Sequence, residues 1–194
     1  MLFGFVGEEI KKIKYYYRET LTCLGIFVVA AYAGYIAAVL LGAGQAEHYL
    51  DMVKNMVVGE EMPENIFLFI LVRNSVVSLL VLMVGIFTYS IWPVMVLLFN
   101  GAVSGFFVKM QSFLFNRFSF EIWVFGLLPH GILELGALFL AAGASFYFRR
   151  LRKTGHFNWA GVIRTYLVVV LPLLVVAALI ETFITPIIIY RFLA

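Results

Sequence analysis

The run LPHGILELGALFLAAG, residues 128–143, decides how this chain is read. It is apolar along nearly all its length, yet it holds Pro129, His130 and Glu134. His130 and Glu134 are four residues apart, so on a helix they share one face. A central charge in a membrane helix costs roughly 2.5–3.5 kcal/mol to insert, and such groups face a bundle interior or a cavity. Function is therefore sought first at this pair.

The rest of the chain agrees with a membrane setting. Of its 194 residues 63% are hydrophobic and only 13% charged, where a soluble domain would be nearer one quarter charged. Mean hydropathy is +1.01. The expected fold class is all-α: a polytopic membrane helix bundle forming one domain over residues 1–194. The net charge of +3 is small and its bases gather near predicted membrane edges, so nucleic-acid binding is not expected. Cys23 is the sole cysteine, which excludes an intramolecular disulfide and a cysteine metal site; it reads as a small apolar filler. The N-terminus mixes acids with bases ahead of the first long apolar stretch and is a poor signal peptide.

Five spans are expected, at about 21–43, 65–86, 93–110, 121–148 and 160–190, each long enough for a roughly 30 Å core. Residues 8–18, EEIKKIKYYYR, read as a short amphipathic helix at the membrane surface, with Tyr15 to Tyr17 at the interface. A second amphipathic helix is expected in the acidic loop 44–65, then a turn near Pro63. Pro93 suits the first turn of the third span. The fifth span is expected to tilt or break at Pro172 or Pro186. Ala30, Gly34 and Ala38 form a small-residue stripe, and Gly101 and Gly105 a GxxxG pair expected to pack a neighbouring helix. The N-terminal bases and RRLRK, residues 149–153, fall on one side and the acidic loop on the other. That sets the N-terminus in the cytoplasm and the C-terminus outside; a loop holding Lys109 and Arg117 fits this orientation least well.

Polar groups recur at one depth. Counted from the outer edges, Asn74, Asn100, His130 and Glu181 lie roughly 13–17 Å in, with Glu134 about 6 Å deeper. In the fourth span Gly126, His130, Glu134, Ala137 and Ala141 share a face expected to be buried, while Leu128, Ile132, Leu135 and Phe139 face lipid. Pro129 and Pro186 are expected to free the carbonyls of Phe125 and Thr182. Arg73 is too deep to snorkel with ease and is expected to pair with Glu134 or Glu181. Asn74 and Asn100 read first as interhelical hydrogen-bonding groups and second as ligand contacts. For His130 and Glu134 function and structure weigh evenly.

Several of these pieces together resemble the stage II sporulation protein M family. They are Asn74, the Asn-Gly with its following glycine (Asn100, Gly101, Gly105), the PHGxxE block (Pro129, His130, Gly131, Glu134), and IETFITP from Ile180 through Thr185 to Pro186. The resemblance implies an integral membrane protein of several helices. In sporulating bacteria the family member works in a membrane complex with peptidoglycan-cleaving partners during engulfment and looks like the scaffold there. Members outside sporulating organisms do not inherit that role automatically.

Three functions compete. A non-enzymatic scaffold or complex subunit is the leading expectation, with no catalytic residue and no cofactor or metal. Its partners would be the lipid bilayer, other membrane or envelope proteins, and a second copy of the chain. A small-solute, ion or proton transporter comes second, with Glu134 carrying the ion, His130 tuning it, and Asn74 and Asn100 orienting it. An intramembrane hydrolase with a metal on His130, Glu134 and Glu181 comes last, since no HExxH pattern is present.

Overall fold

The computed structural model describes residues 2–58 and 64–193. Among them seven helices follow one another: α1 (Leu2–Lys12), α2 (Tyr17–Leu41), α3 (Ala46–Val58), α4 (Ile66–Phe87), α5 (Ile91–Phe115), α6 (Ser119–Lys153) and α7 (Trp159–Phe192). The helices α2, α4, α5, α6 and α7 are long and apolar enough to cross a membrane, and an all-helical bundle is the only arrangement of these spans that satisfies backbone polar groups within lipid short of a closed barrel. The turn expected near Pro63 lies outside the described residues.

Helix ends shift where local chemistry decides them. The N-terminal helix covers Leu2–Lys12 rather than 8–18, and a 3-10 turn at Ile13–Tyr15 separates it from α2. Tyr15 and Tyr17 are exposed as expected of interface residues, but Tyr16 points inward and is 1% exposed. The third span runs on to Phe115, so Lys109 sits within α5 instead of a loop. Its ammonium lies over the rings of Phe113, at 4.0 Å, and Tyr35, at 5.7 Å, a setting that attracts a cation at the membrane edge. Likewise RRLRK forms the last turns of α6. There Arg150 donates to the Tyr15 carbonyl at 3.0 Å and pairs with Glu19, which puts the N-terminal segment and this basic cluster on the same face of the bundle.

The closest helix contact is between α2 and α5, and the two small-residue motifs make it. A methyl group at Gly105 would fall on the Ala31 carbonyl, one at Gly101 on the Phe27 carbonyl, and one at Gly34 on the Ala102 carbonyl. The GxxxG pair is thus used inside the chain, backbone against backbone. The Ala46 end of α3 docks on the same pair through Ala38 and Met110, with Tyr49 edge-on to Phe106 at 5.8 Å.

Helix α6 is the central member, packed by α2, α4 and α7. Ala137, Ala141, Ala142, Ala144 and Ser145 are wholly enclosed; their small side chains let three neighbours close around one helix. Leu128 and Ile132 are exposed as expected, but Phe139 is buried, edge-on to Phe27 of α2 at 5.4 Å. The lipid-facing stripe of α6 therefore stops short of Phe139, where α2 covers it.

Three turns in α6 and α7 are π-helical: Ile122–Leu127, Tyr166–Val170 and Ile180–Ile184. Each ends two residues before a proline. The N–H groups of Leu128, Leu171 and Thr185, which directly precede Pro129, Pro172 and Pro186, bond the carbonyls five residues back, on Trp123, Tyr166 and Ile180. A proline ring clashes with the carbonyl four residues before it and has no N–H to give. Widening the preceding turn by one residue relieves that clash without breaking the helix. The expected breaks are thus wide turns within continuous helices.

Candidate functional site

The π turns frame a polar centre. His130 and Glu134 lie one turn apart on α6 just past the first of them, and Glu181 projects from the last. One ligand atom from each of the three side chains lies within 4.8 Å of the others. Glu181 therefore sits with the α6 pair. π turns are frequent at functional sites because the extra residue re-aims a side chain that a regular helix would send elsewhere.

His130 is 8% exposed, and its ring is held from α7. Nδ1 lies 3.2 Å from Thr185 Oγ1. The single hydroxyl proton of Thr185 goes to the Ile180 carbonyl, also at 3.2 Å, so the hydroxyl oxygen accepts from Nδ1–H. In that arrangement Nδ1 carries the ring proton and Nε2 keeps its lone pair. Thr185, read from the sequence as part of a structural motif, is in effect the residue that orients the imidazole. Pro129 and Pro186 act through the wide turns before them. Gly131 is buried, but a methyl there would make only an ordinary contact with Leu127 at 3.7 Å.

Two cavities border the cluster, one at His130 and Glu181 and one at Glu134. The larger, about 630 Å³, is lined by His130, Glu181, Thr185 and Pro186 and reaches Gln111 and Tyr190 near the C-terminal ends of α5 and α7. The smaller, about 110 Å³, is lined by Arg73, Asn74 and Ser78 of α4, Asn100 of α5 and Glu134 of α6. All six residues of the expected polar cluster thus line one or the other.

Two expectations change in detail. Arg73 stands within electrostatic range of both Glu134 and Glu181, yet the ion pairs among the described residues are Lys12–Glu9 and Arg150–Glu19. Arg73 and Glu134 face each other across the small cavity without touching. Asn100 Nδ2 donates to the Val96 carbonyl of its own helix at 2.8 Å; among the described residues neither Asn74 nor Asn100 makes an interhelical hydrogen bond. Both amides line the cavity instead of joining helices. Ser78, which shares a helical face with Asn74, walls this cavity beside it. Sequence reasoning missed Tyr166, whose hydroxyl donates to the Ser75 carbonyl at 2.9 Å and fastens α7 to α4; an aromatic among valines gives no signal for that.

The family profile described as stage II sporulation protein M matches residues 23–186. No curated protein and no solved structure matches the chain.

Proposed function

The chain belongs to the stage II sporulation protein M family, and from that premise we propose that it is a non-enzymatic scaffold or complex subunit of the cell membrane. The observation that carries the reading is the extent of the family match, which takes in nearly all of the five spans and every member of the polar centre. The packing supports it. The α2–α5 seam and the braced α6–α7 pair make a stiff body, and the small-residue motifs that join membrane helices are already occupied within it. Partner membrane or envelope proteins, or a second copy, are recruited through the lipid-facing surfaces and the loops. The N-terminus and the Arg149–Lys153 face lie in the cytoplasm, the side on which basic clusters are retained, and the C-terminus lies outside.

A second reading has its own observation. His130 and Glu181 line one cavity and Glu134 another, and their ligand atoms lie within 4.8 Å of one another, which suits a proton or small-cation pathway. The two are separated by one pair of measurements. Extraction of native membranes directly into nanodiscs, with crosslinking beforehand, is expected to yield the chain in a discrete assembly with other membrane proteins. Purified chain in liposomes is expected to carry no proton or cation flux under an imposed gradient. Flux abolished by Glu134→Gln, with the chain recovered alone, would replace the scaffold by the pathway.

A further inference from the structure

We propose that His130, Glu134 and Glu181 form a binding site for one divalent first-row transition-metal ion of the zinc class. This goes beyond the scaffold reading and holds for either role above. The cluster is the one group of three or more metal-ligating side chains found among the described residues, and its ligand atoms lie within 4.8 Å of one another. Around a four-coordinate zinc ion, ligand atoms about 2.0–2.1 Å from the metal sit roughly 3.3 Å apart. To close that difference the two glutamate side chains would turn inward about their own torsions.

Four further observations point the same way. First, the donor set is one imidazole and two carboxylates, which zinc, manganese and ferrous iron accept, while magnesium and calcium prefer all-oxygen sites. Second, the imidazole is held as metal-bound histidines are: with the Thr185 hydroxyl donating to the Ile180 carbonyl, its oxygen accepts from Nδ1–H and Nε2 is the nitrogen left for a metal. Third, Glu134 makes no hydrogen bond or contact ion pair among the described residues, although it lies inside the bundle. A carboxylate left without a partner in a membrane core is costly, and Arg73 faces it without touching. Fourth, the cavity of about 630 Å³ leads from the C-terminal ends of α5 and α7 to His130 and Glu181. It gives the ion a route and a water its place as fourth ligand. Glu181 lies within the wide turn Ile180–Ile184.

The test uses the full chain in nanodiscs, stripped with a chelator and titrated with Zn²⁺ or Co²⁺. We expect one zinc per chain by elemental analysis after desalting. Cobalt should give visible d–d absorption of the intensity of a four- or five-coordinate site, undiminished by millimolar Mg²⁺ or Ca²⁺. His130→Ala, Glu134→Gln and Glu181→Gln should each weaken zinc binding at least tenfold. Thr185→Val, which touches no metal, should weaken it 10- to 100-fold through loss of ring orientation. His48→Ala with His156→Ala should leave it unchanged. Thermal melts identify any variant that fails to fold, and the wild-type cobalt spectrum stands without them. Less than a tenth of an equivalent of zinc, a spectrum of hexaaqua cobalt, or binding lost only in the His48/His156 pair would overturn the proposal.

Discussion

His130 and Thr185 are 55 residues apart in sequence and 3.2 Å apart in space. Their hydrogen bond joins the turn after Pro129 to the turn before Pro186, so the two proline-bearing helices are held in register at the polar centre. Thr185→Val keeps the shape and removes the link. We expect a loss of about 1 kcal/mol, as for one buried hydrogen bond, seen as a lower melting temperature in nanodiscs. An unchanged melt would mean that the two helices are aligned by apolar packing alone.

The glycines divide into two classes. Gly105→Ala places a methyl on the Ala31 carbonyl, main chain that cannot turn aside, whereas a methyl at Gly136 meets nothing within 4 Å. The first substitution should cost several kcal/mol, at the upper end of overpacking effects. The second should be neutral or stabilise by about 0.5–1 kcal/mol, since alanine is the better helix former. Comparing their melting temperatures and yields in one detergent checks both; equal behaviour would dissolve the seam.

Tyr16 carries a buried hydroxyl with no hydrogen-bond partner among the described residues. Burial first, then Glu9, then Tyr147, raise its pKa above the ordinary 10.0. The neutral phenol is therefore the form the fold favours. This contribution is complete below pH 10 and is lost as pH rises toward the folded value. Tyr16→Phe should raise stability by about 1 kcal/mol by removing the orphan group. It should also flatten the decline in stability measured between neutral pH and pH 11. A Tyr16→Phe chain less stable than the parent at neutral pH would show that the hydroxyl has a partner after all.

Orientation is open to chemical labelling. Phe118, in the turn between α5 and α6, and His156, in the turn between α6 and α7, are both exposed and lie at opposite ends of α6. With the N-terminus inside, Phe118→Cys should react with a membrane-impermeant maleimide on whole cells, and His156→Cys only after lysis. The native Cys23 is buried and serves as the unlabelled blank. The reverse pattern would invert the topology.

The spans, their order and the polar layer were legible because lipid leaves few alternatives. A run of apolar residues must be helical, and an ionisable group within it must turn inward. The two small-residue motifs of the α2–α5 seam were legible for a related reason, since only small residues allow two backbones to touch, but not that the two motifs meet each other. What escaped depends on rotation about a helix axis. Counting by 3.6 from Leu128 placed Phe139 in lipid, but which helix covers that sector is decided by α2, far away in sequence. The π turns insert one extra residue apiece and offset the faces on either side of Pro129 and Pro186, a shift that no periodicity announces. Tyr16 reads as one of three interfacial tyrosines, and only the 3-10 turn before α2 sends it inward.

A seam made of main chain has an evolutionary consequence. When two side chains collide, a change on either one can accommodate the other, and a pair of positions drifts together through many solutions. At Gly34, Gly101 and Gly105 the opposing atoms are carbonyl groups that every amino acid carries. No substitution on the facing helix makes room, so a side chain at any of these three positions is accommodated only if the two helices move apart.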